Sequence, residues 1–154
     1  RFKFPEPQIP GLNFSFSGLK TSILYFLKNA GTSNLFKAEF LADEATRQKF
    51  IDENLSDICA SVQYRIVSIL LNKLKKAAAE TGITDICLAG GVSANSGLRK
   101  SFTDLGNKEK WNTFIPNFEY CTDNAAMIAI TGYFKYSEQD FTQLSIGPSA
   151  RAEW

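Results

Sequence analysis

The chain has 154 residues, and its 17 lysine and arginine residues against 16 aspartate and glutamate residues give a formal net charge of +1. This length suits one domain or one lobe of a larger protein, and the near-neutral charge argues against a chain-wide basic surface for nucleic acid. The sequence contains no histidine, which excludes Ser-His-Asp and Cys-His nucleophiles, HExxH zinc sites and a histidine base within these residues.

The N-terminal region combines an extended segment with a first helix. Three prolines among the first ten residues predict an extended strap over residues 1–13, and residues 14–16 have the alternation of a very short strand. Apolar residues at helical spacing follow, with Ser17 as the candidate N-cap and a stop at residues 29–31. Residues 35–50 are typical of one or two short helices.

The clearest helical pattern covers residues 51–80, where apolar residues recur every three to four positions. Acidic residues near the start and lysines near the end suit the helix macrodipole. We expect this helix to bury one face. The residues predicted to form that face include Leu55, Ile58, Val62, Ile66 and Leu74.

Strands and helices alternate in the rest of the chain. A continuously apolar run within residues 83–89 predicts a buried strand, and residues 95–105 predict a helix. A second strand is expected at residues 113–115 and a further helix at residues 122–136, while the tail is weakly patterned. The order α-α-β-α-β-α predicts an α/β layered fold, rich in helix and with a small sheet.

Three turns place polar groups where a strand or strap meets a helix, which is where α/β proteins usually bind ligands. Gly90 and Gly91 allow close backbone approach to a phosphate or nucleoside, and Asn95 offers a donor and an acceptor; a plain turn capped by Asn95 is the alternative. Asp123 is either a helix cap or one ligand of a cation. Lys20 lies in a first helical turn, which favours either an anionic partner or simple exposure.

Three wide-spaced cysteines, Cys59, Cys87 and Cys121, form no CxxC pair. This pattern favours reduced thiols over a disulfide framework or a zinc knuckle. No apolar run is long enough to span a bilayer, so no membrane partner is expected.

Taken in order, the segments FSFSGLKT (residues 14–21), LAGGVSANSGLR (88–99) and YCTDNAAMIA (120–129) resemble the tRNA threonylcarbamoyladenosine transferase family. An older name of that family is O-sialoglycoprotein endopeptidase, or glycoprotease. The resemblance implies one lobe of the actin-like, Hsp70-like, sugar-kinase-like ATPase fold. We therefore expect residues 1–154 to form the single C-terminal lobe of a two-lobe protein.

The resemblance also implies an activity, namely transfer of a threonylcarbamoyl group from threonylcarbamoyl-AMP to the adenosine beside the tRNA anticodon. It implies one divalent metal, iron or zinc, held by two histidines of the N-terminal half and by Asp123. The residues expected to bind the adenylate or ATP are Gly90, Gly91 and Asn95, with Ser17 and Lys20 as additional candidates. The implied partners are tRNA and the accessory subunits of the threonylcarbamoyladenosine-forming complex, in the cytoplasm. Because these residues include no histidine, we expect the chain to be inactive by itself.

Other functions are compatible with the same residues. A kinase or ATPase relative of the same fold would bind ATP without using tRNA, and a nucleotide-binding or assembly module would catalyse nothing. The metalloendopeptidase of the older name is disfavoured, because a peptidase needs a metal-bound water and a general base, and the chain shows no such pair.

Overall fold

The computed structural model describes residues 1–37 and 42–147, and within them helices dominate over a two-stranded parallel sheet. The predicted α/β class is confirmed. In the sheet, Ile86 pairs with Thr113, and a helix provides the crossover that parallel strands require. The elements in chain order are α1 (Ser17–Lys28), α2 (Glu44–Thr81), β1 (Asp85–Cys87), α3 (Ser96–Glu109), β2 (Asn112–Phe114) and α4 (Ala125–Ser137), with short 3-10 turns at Gly91–Ala94 and Phe118–Tyr120.

The N-terminal strap lies along α2. Of the predicted residues 1–13 it is extended over residues 1–9, and a bend and a turn follow at residues 10–12. Arg65 of α2 forms a half-buried ion pair with Glu6 of the strap, with 2.7 Å between Nη1 and Oε2. Lys73, two turns further along α2, donates from Nζ to the carbonyl oxygen of Ile9 at 2.9 Å. These contacts hold the strap against the helix and direct its phenylalanines into the core.

An aromatic core joins the strap, α1 and α2. Phe26 of α1 is fully buried, and its ring centroid lies 4.8 Å from that of Phe2 and 5.2 Å from that of Phe4. The rings of Phe36 and Phe50 lie 5.4 and 6.3 Å from the same ring. Aromatic pairs at these distances stabilise a fold beyond their area burial, so this cluster fixes α1 against α2.

A second core positions the sheet. Ile86 of β1 packs with Ala78 of α2 and Phe102 of α3, all buried. The opposite face of the sheet is open, because Cys87 and Phe114 are both exposed. The predicted buried strand is therefore present but buried on one face only, since α2 and α3 cover only that face.

The long helix starts earlier and buries less than its sequence predicts. α2 begins at Glu44 because Asp43 caps it, with Oδ1 accepting a hydrogen bond from the Thr46 N–H at 2.9 Å. The separate short helices predicted for this region are therefore wrong from residue 44 onward, and residues 38–41 lie outside the described part of the chain. Leu55 is 54% exposed, against 5% for Ile58.

The exposure of Leu55 follows from incomplete cover of this face of α2. Leu55 lines an open apolar groove beside α1, together with Ile23 and Ile51, and the helix of 38 residues extends about 57 Å. The other residues predicted to be buried on this helix, Val62, Ile66 and Leu74, are partly buried against the two cores.

The start of α1 also differs from expectation. Residues 14–16 form no strand, and Ser17 is the first residue of α1 rather than its cap. Phe16 occupies the N-cap position without a side-chain hydrogen bond.

α4 is apolar and exposed along its whole length. All 13 of its residues are exposed, and its large apolar residues include Ile128, at 77% exposure, and Phe134, at 58%. A helix that is apolar on most sides is usually buried within a larger body of protein. None of the described helices combines the length and hydropathy needed to cross a membrane.

Candidate functional site

A cavity of about 830 Å³, called here the motif cavity, lies at the carboxyl ends of β1 and β2. Gly90 and Gly91 follow β1 and line it, and Thr122 and Asp123 line it from the segment that follows β2. Because neighbouring parallel strands end at one edge of a sheet, segments distant in sequence meet there. Two of the three sequence motifs therefore share one cavity.

The glycine turn leaves its backbone open to this space. Gly90 has φ of +80°, a left-handed conformation that favours glycine, whereas Gly91 begins the 3-10 turn. A Cβ atom at either position would meet nothing within 4 Å. Within the described residues, neither glycine N–H donates a hydrogen bond to backbone or side chain. Both N–H groups are thus available to an anion or a polar ligand.

Asp123 is available as well, because another residue caps the helix beside it. The N-cap of α4 is Asn124, whose Oδ1 accepts a hydrogen bond from the Met127 N–H at 3.1 Å. Of the two alternatives for Asp123, the capping role is therefore wrong, as is the expected helix start at residue 122. Within the described part of the chain, the exposed Asp123 carboxylate forms no ion pair and no hydrogen bond.

Asn95 lies in a different place. It caps α3, accepting a hydrogen bond from the Leu98 N–H at 2.9 Å, and its Nδ2 donates to Oε1 of Gln63 on α2 at 3.3 Å. With Val92 it lines a separate, apolar groove of about 560 Å³ between α1, α2 and the turn. The capping alternative is confirmed, because the side-chain oxygen of Asn95 is engaged in the helix cap. A role of Asn95 in adenylate binding stays a prediction.

The first motif also lies outside the motif cavity. Lys20 borders a small apolar cavity of about 320 Å³ with Phe16, Leu19 and Ile66. Ser17 is exposed in the first turn of α1. The described structure therefore does not bring either residue to Gly90, Gly91 and Asp123, and their assignment to the ligand stays a prediction.

Two aromatic rings in the cavity wall were not singled out from the sequence. Phe114 at the end of β2 is 56% exposed and Tyr120 is 48% exposed, and both line the cavity. Aromatic faces of this kind bind nucleobases by stacking. The place of Phe114 at the carboxyl end of β2 was a signal that the sequence offered, whereas Tyr120 lies in the later 3-10 turn and had no such signal.

The cavity supplies only part of a metal site. Asp123 offers one carboxylate, and the residues the structure describes contain no cluster of three histidine, cysteine, aspartate or glutamate side chains. Structural and catalytic metal sites need three or four converging ligands. The described residues therefore fit one ligand position but do not by themselves hold a metal ion.

Comparison with known proteins identifies the family. A family model described as tRNA N6-adenosine threonylcarbamoyltransferase matches residues 1–130. The chain belongs to this family. The threonylcarbamoyltransferase of Christiangramia forsetii is 50% identical over 150 residues, which cover 97% of this chain and 40% of that protein.

Two further threonylcarbamoyltransferases give the same picture. Those of Cytophaga hutchinsonii and Porphyromonas gingivalis are 47% and 45% identical over 150 residues, again covering 97% of this chain and 40% of each relative. The resemblance inferred from the three motifs is confirmed. The chain spans about 40% of the length of these curated relatives.

Proposed function

We propose that the protein containing this chain transfers a threonylcarbamoyl group from threonylcarbamoyl-AMP to an adenosine of tRNA. The chain would form the C-terminal lobe of a two-lobe, actin-like ATPase fold and supply one wall of the nucleotide cleft. The observation that supports this most is the convergence of two open glycine N–H groups, two aromatic rings and the unpaired Asp123 carboxylate on one cavity. Membership of the family supplies the reaction.

Each group in the cavity has a part in holding the adenylate. The N–H groups of Gly90 and Gly91 donate to phosphate oxygens, and hydrogen bonds to a charged group are the stronger kind. The rings of Phe114 and Tyr120 stack on adenine. In the reaction the exocyclic amine nitrogen of adenosine bonds to the carbamoyl carbon and gives up one proton to solvent, while the bond between that carbon and the phosphate oxygen breaks and AMP leaves with the added negative charge. Donors fixed before the reaction stabilise that charge at no further cost in reorganisation.

We further propose that Asp123 is one ligand of a divalent metal, iron or zinc, whose other ligands come from the remainder of the protein. This rests on the free carboxylate at the cavity edge. A metal bound there would act as a Lewis acid on the transferring group. The near-neutral charge of the chain favours a tRNA surface supplied mainly by the remainder of the protein or by accessory subunits.

A kinase or ATPase relative is the second candidate, because the glycine turn and the aromatic rings suit any adenine nucleotide. The two functions differ in their products. When the whole protein is given threonylcarbamoyl-AMP and tRNA, we expect modified adenosine and free AMP. ATP hydrolysis that is independent of tRNA, with no modified adenosine, would favour the second candidate.

The Asp123 assignment is tested by Asp123→Asn in the whole protein. Since the carboxylate has no partner in the described structure, we expect the metal-free forms of the variant and the unaltered protein to melt at the same temperature, and we expect the variant to lose bound metal and tRNA modification. The matched control is Glu119→Gln, which alters an exposed carboxylate of the same segment that does not line the cavity, and we expect metal to stay bound in this variant. Full metal content and full activity in Asp123→Asn would refute the assignment.

A further inference from the structure

One side chain of α3, Arg99, links the two walls of the motif cavity. One wall is the glycine turn that follows β1, and the other is the segment that follows β2 and carries Asp123. The guanidinium group of Arg99 donates from Nε to the carbonyl oxygen of Ser93, in the glycine turn, at 2.6 Å. From Nη2 it donates to the carbonyl oxygen of Pro116 at 2.7 Å and to Sγ of Cys121 at 3.0 Å. The latter two residues belong to the segment that carries Asp123.

The surroundings of Arg99 hold this arrangement in place. Its Cζ lies 4.0 Å from the ring centroid of Phe118, within the range of a cation–π contact. Cys121, its sulfur partner, is 2% exposed and also lines the cavity. A guanidinium presents its donors in a fixed planar fork, which a lysine ammonium on a flexible stem cannot reproduce.

The two walls have few other links. The backbone hydrogen bond from the Leu88 N–H to the Phe114 carbonyl oxygen, at 2.9 Å, joins them at the strand ends. Beyond that point, the described residues of 89–95 and 115–124 form no direct hydrogen bond with each other. Beyond the strand ends, where Leu88 and Ile115 still pack on a shared core, the bridge through Arg99 is therefore the hydrogen-bonded link of the described residues between the glycine turn and the Asp123 segment.

We propose that Arg99 is a positioning residue, which sets the glycine turn and the Asp123 segment at the spacing that the adenylate requires. Arg99 does not line the cavity, so it acts through the two walls and not on the ligand. The bridge itself is independent of the proposed reaction, whereas its effect on catalysis rests on the proposed function.

The bridge is tested without ligand by hydrogen exchange in the whole protein that contains this chain. Arg99→Met keeps the aliphatic stem and removes the donors. We expect amide exchange to accelerate about tenfold or more in both residues 88–95 and residues 115–123, since hydrogen bonds to a charged group are lost. Exchange in the middle of α2 should stay unchanged.

The matched control is Lys100→Met, the next residue on α3, which is exposed and pairs with Asp104 of the same helix. We expect this variant to exchange as the unaltered protein does. Faster amide exchange of Arg99→Met in only one of the two walls, in neither of them, or equally throughout the protein would refute the proposed bridge.

The catalytic consequence is tested by kinetics with threonylcarbamoyl-AMP and tRNA. Arg99→Met should raise the KM for the adenylate and lower kcat, each about tenfold, without altering the KM for tRNA, and Arg99→Lys should restore only part of the loss. Unchanged kinetics in Arg99→Met, or full activity in Arg99→Lys, would overturn the positioning role. If the unaltered protein transfers no threonylcarbamoyl group, the proposed function fails, while the exchange experiment still decides whether Arg99 bridges the walls.

Discussion

Replacing Gly91 with valine separates ligand binding from folding. Gly91 has no φ in the left-handed region, and a Cβ atom there meets nothing within 4 Å. Replacing a glycine at a compatible backbone position stabilises a protein by about 0.4–1 kcal/mol through the unfolded chain, and the stiffness of a β-branched side chain opposes this gain. We therefore expect the free energy of unfolding of Gly91→Val to change by less than about 1 kcal/mol.

The effect on the ligand should be much larger. The valine side chain would project into the motif cavity and keep the phosphate away from the backbone N–H groups. Loss of one hydrogen bond to a charged group costs about 1.5–3 kcal/mol, which corresponds to a dissociation constant about 10- to 100-fold larger. Gly91→Ala, with a smaller side chain, should lie between this variant and the unaltered protein.

Calorimetric titration of the whole protein with threonylcarbamoyl-AMP or AMP measures these constants, and urea denaturation measures stability. Gly90→Ala is the informative comparison, because φ of +80° and ψ of 173° at Gly90 form a backbone conformation that is essentially restricted to glycine, so a side chain there should cost about 1–3 kcal/mol in stability. The reasoning is refuted if Gly91→Val is folded and binds the adenylate as tightly as the unaltered protein.

Two further predictions concern stability, and urea denaturation of the whole protein measures both. Phe26→Ala should lower the free energy of unfolding by about 3–5 kcal/mol, whereas Leu24→Ala on the same helix, at a residue 48% exposed, should cost far less; equal losses would contradict the aromatic core. The backbone and hydroxyl hydrogen bonds from Thr46 hold the pKa of Asp43 below its ordinary value, so its stabilisation is present above the unfolded pKa and is lost as the pH falls through the folded pKa. Below about pH 4, the free energy of unfolding of Asp43→Asn should therefore fall less steeply with decreasing pH than that of the unaltered protein. The same steepness in both proteins would count against a capping role of Asp43.

Local patterns predicted most helices, because periodicity and end signals lie in neighbouring residues. α1 and α3 are present close to their predicted positions, whereas the start of α2 was missed because Asp43 caps a helix whose first two turns lack a strong apolar stripe. The burial of Leu55 was overestimated for a different reason. Periodicity shows which face of a helix is apolar, but only packing shows how much of that face is covered.

The candidate site was likewise predictable from the sequence only in part. The meeting of Gly90 and Gly91 with Asp123 follows from the rule that parallel strands end at one edge. The role of Arg99 does not, because its three acceptors are backbone carbonyls and a thiol that carry no recognisable pattern. Only the structure shows which residues are caps, namely that Asn95 caps its helix and that Asn124 takes the cap beside Asp123, while ligand binding by Asn95 and Asp123 stays a prediction.

The exposure of α4 has a thermodynamic consequence for Asp123. A helix of 13 residues without tertiary support is marginal in water, so its helical population depends on whatever surface covers it. A covering surface must supply the ordering free energy of the helix, so its apparent affinity is the intrinsic affinity multiplied by the fraction of α4 that is already helical. Since Asn124 links Asp123 to the first turn of α4, ordering the helix also restricts the directions in which that carboxylate points. Removing the cap would therefore weaken association at a distant face of α4 without altering any residue in contact there.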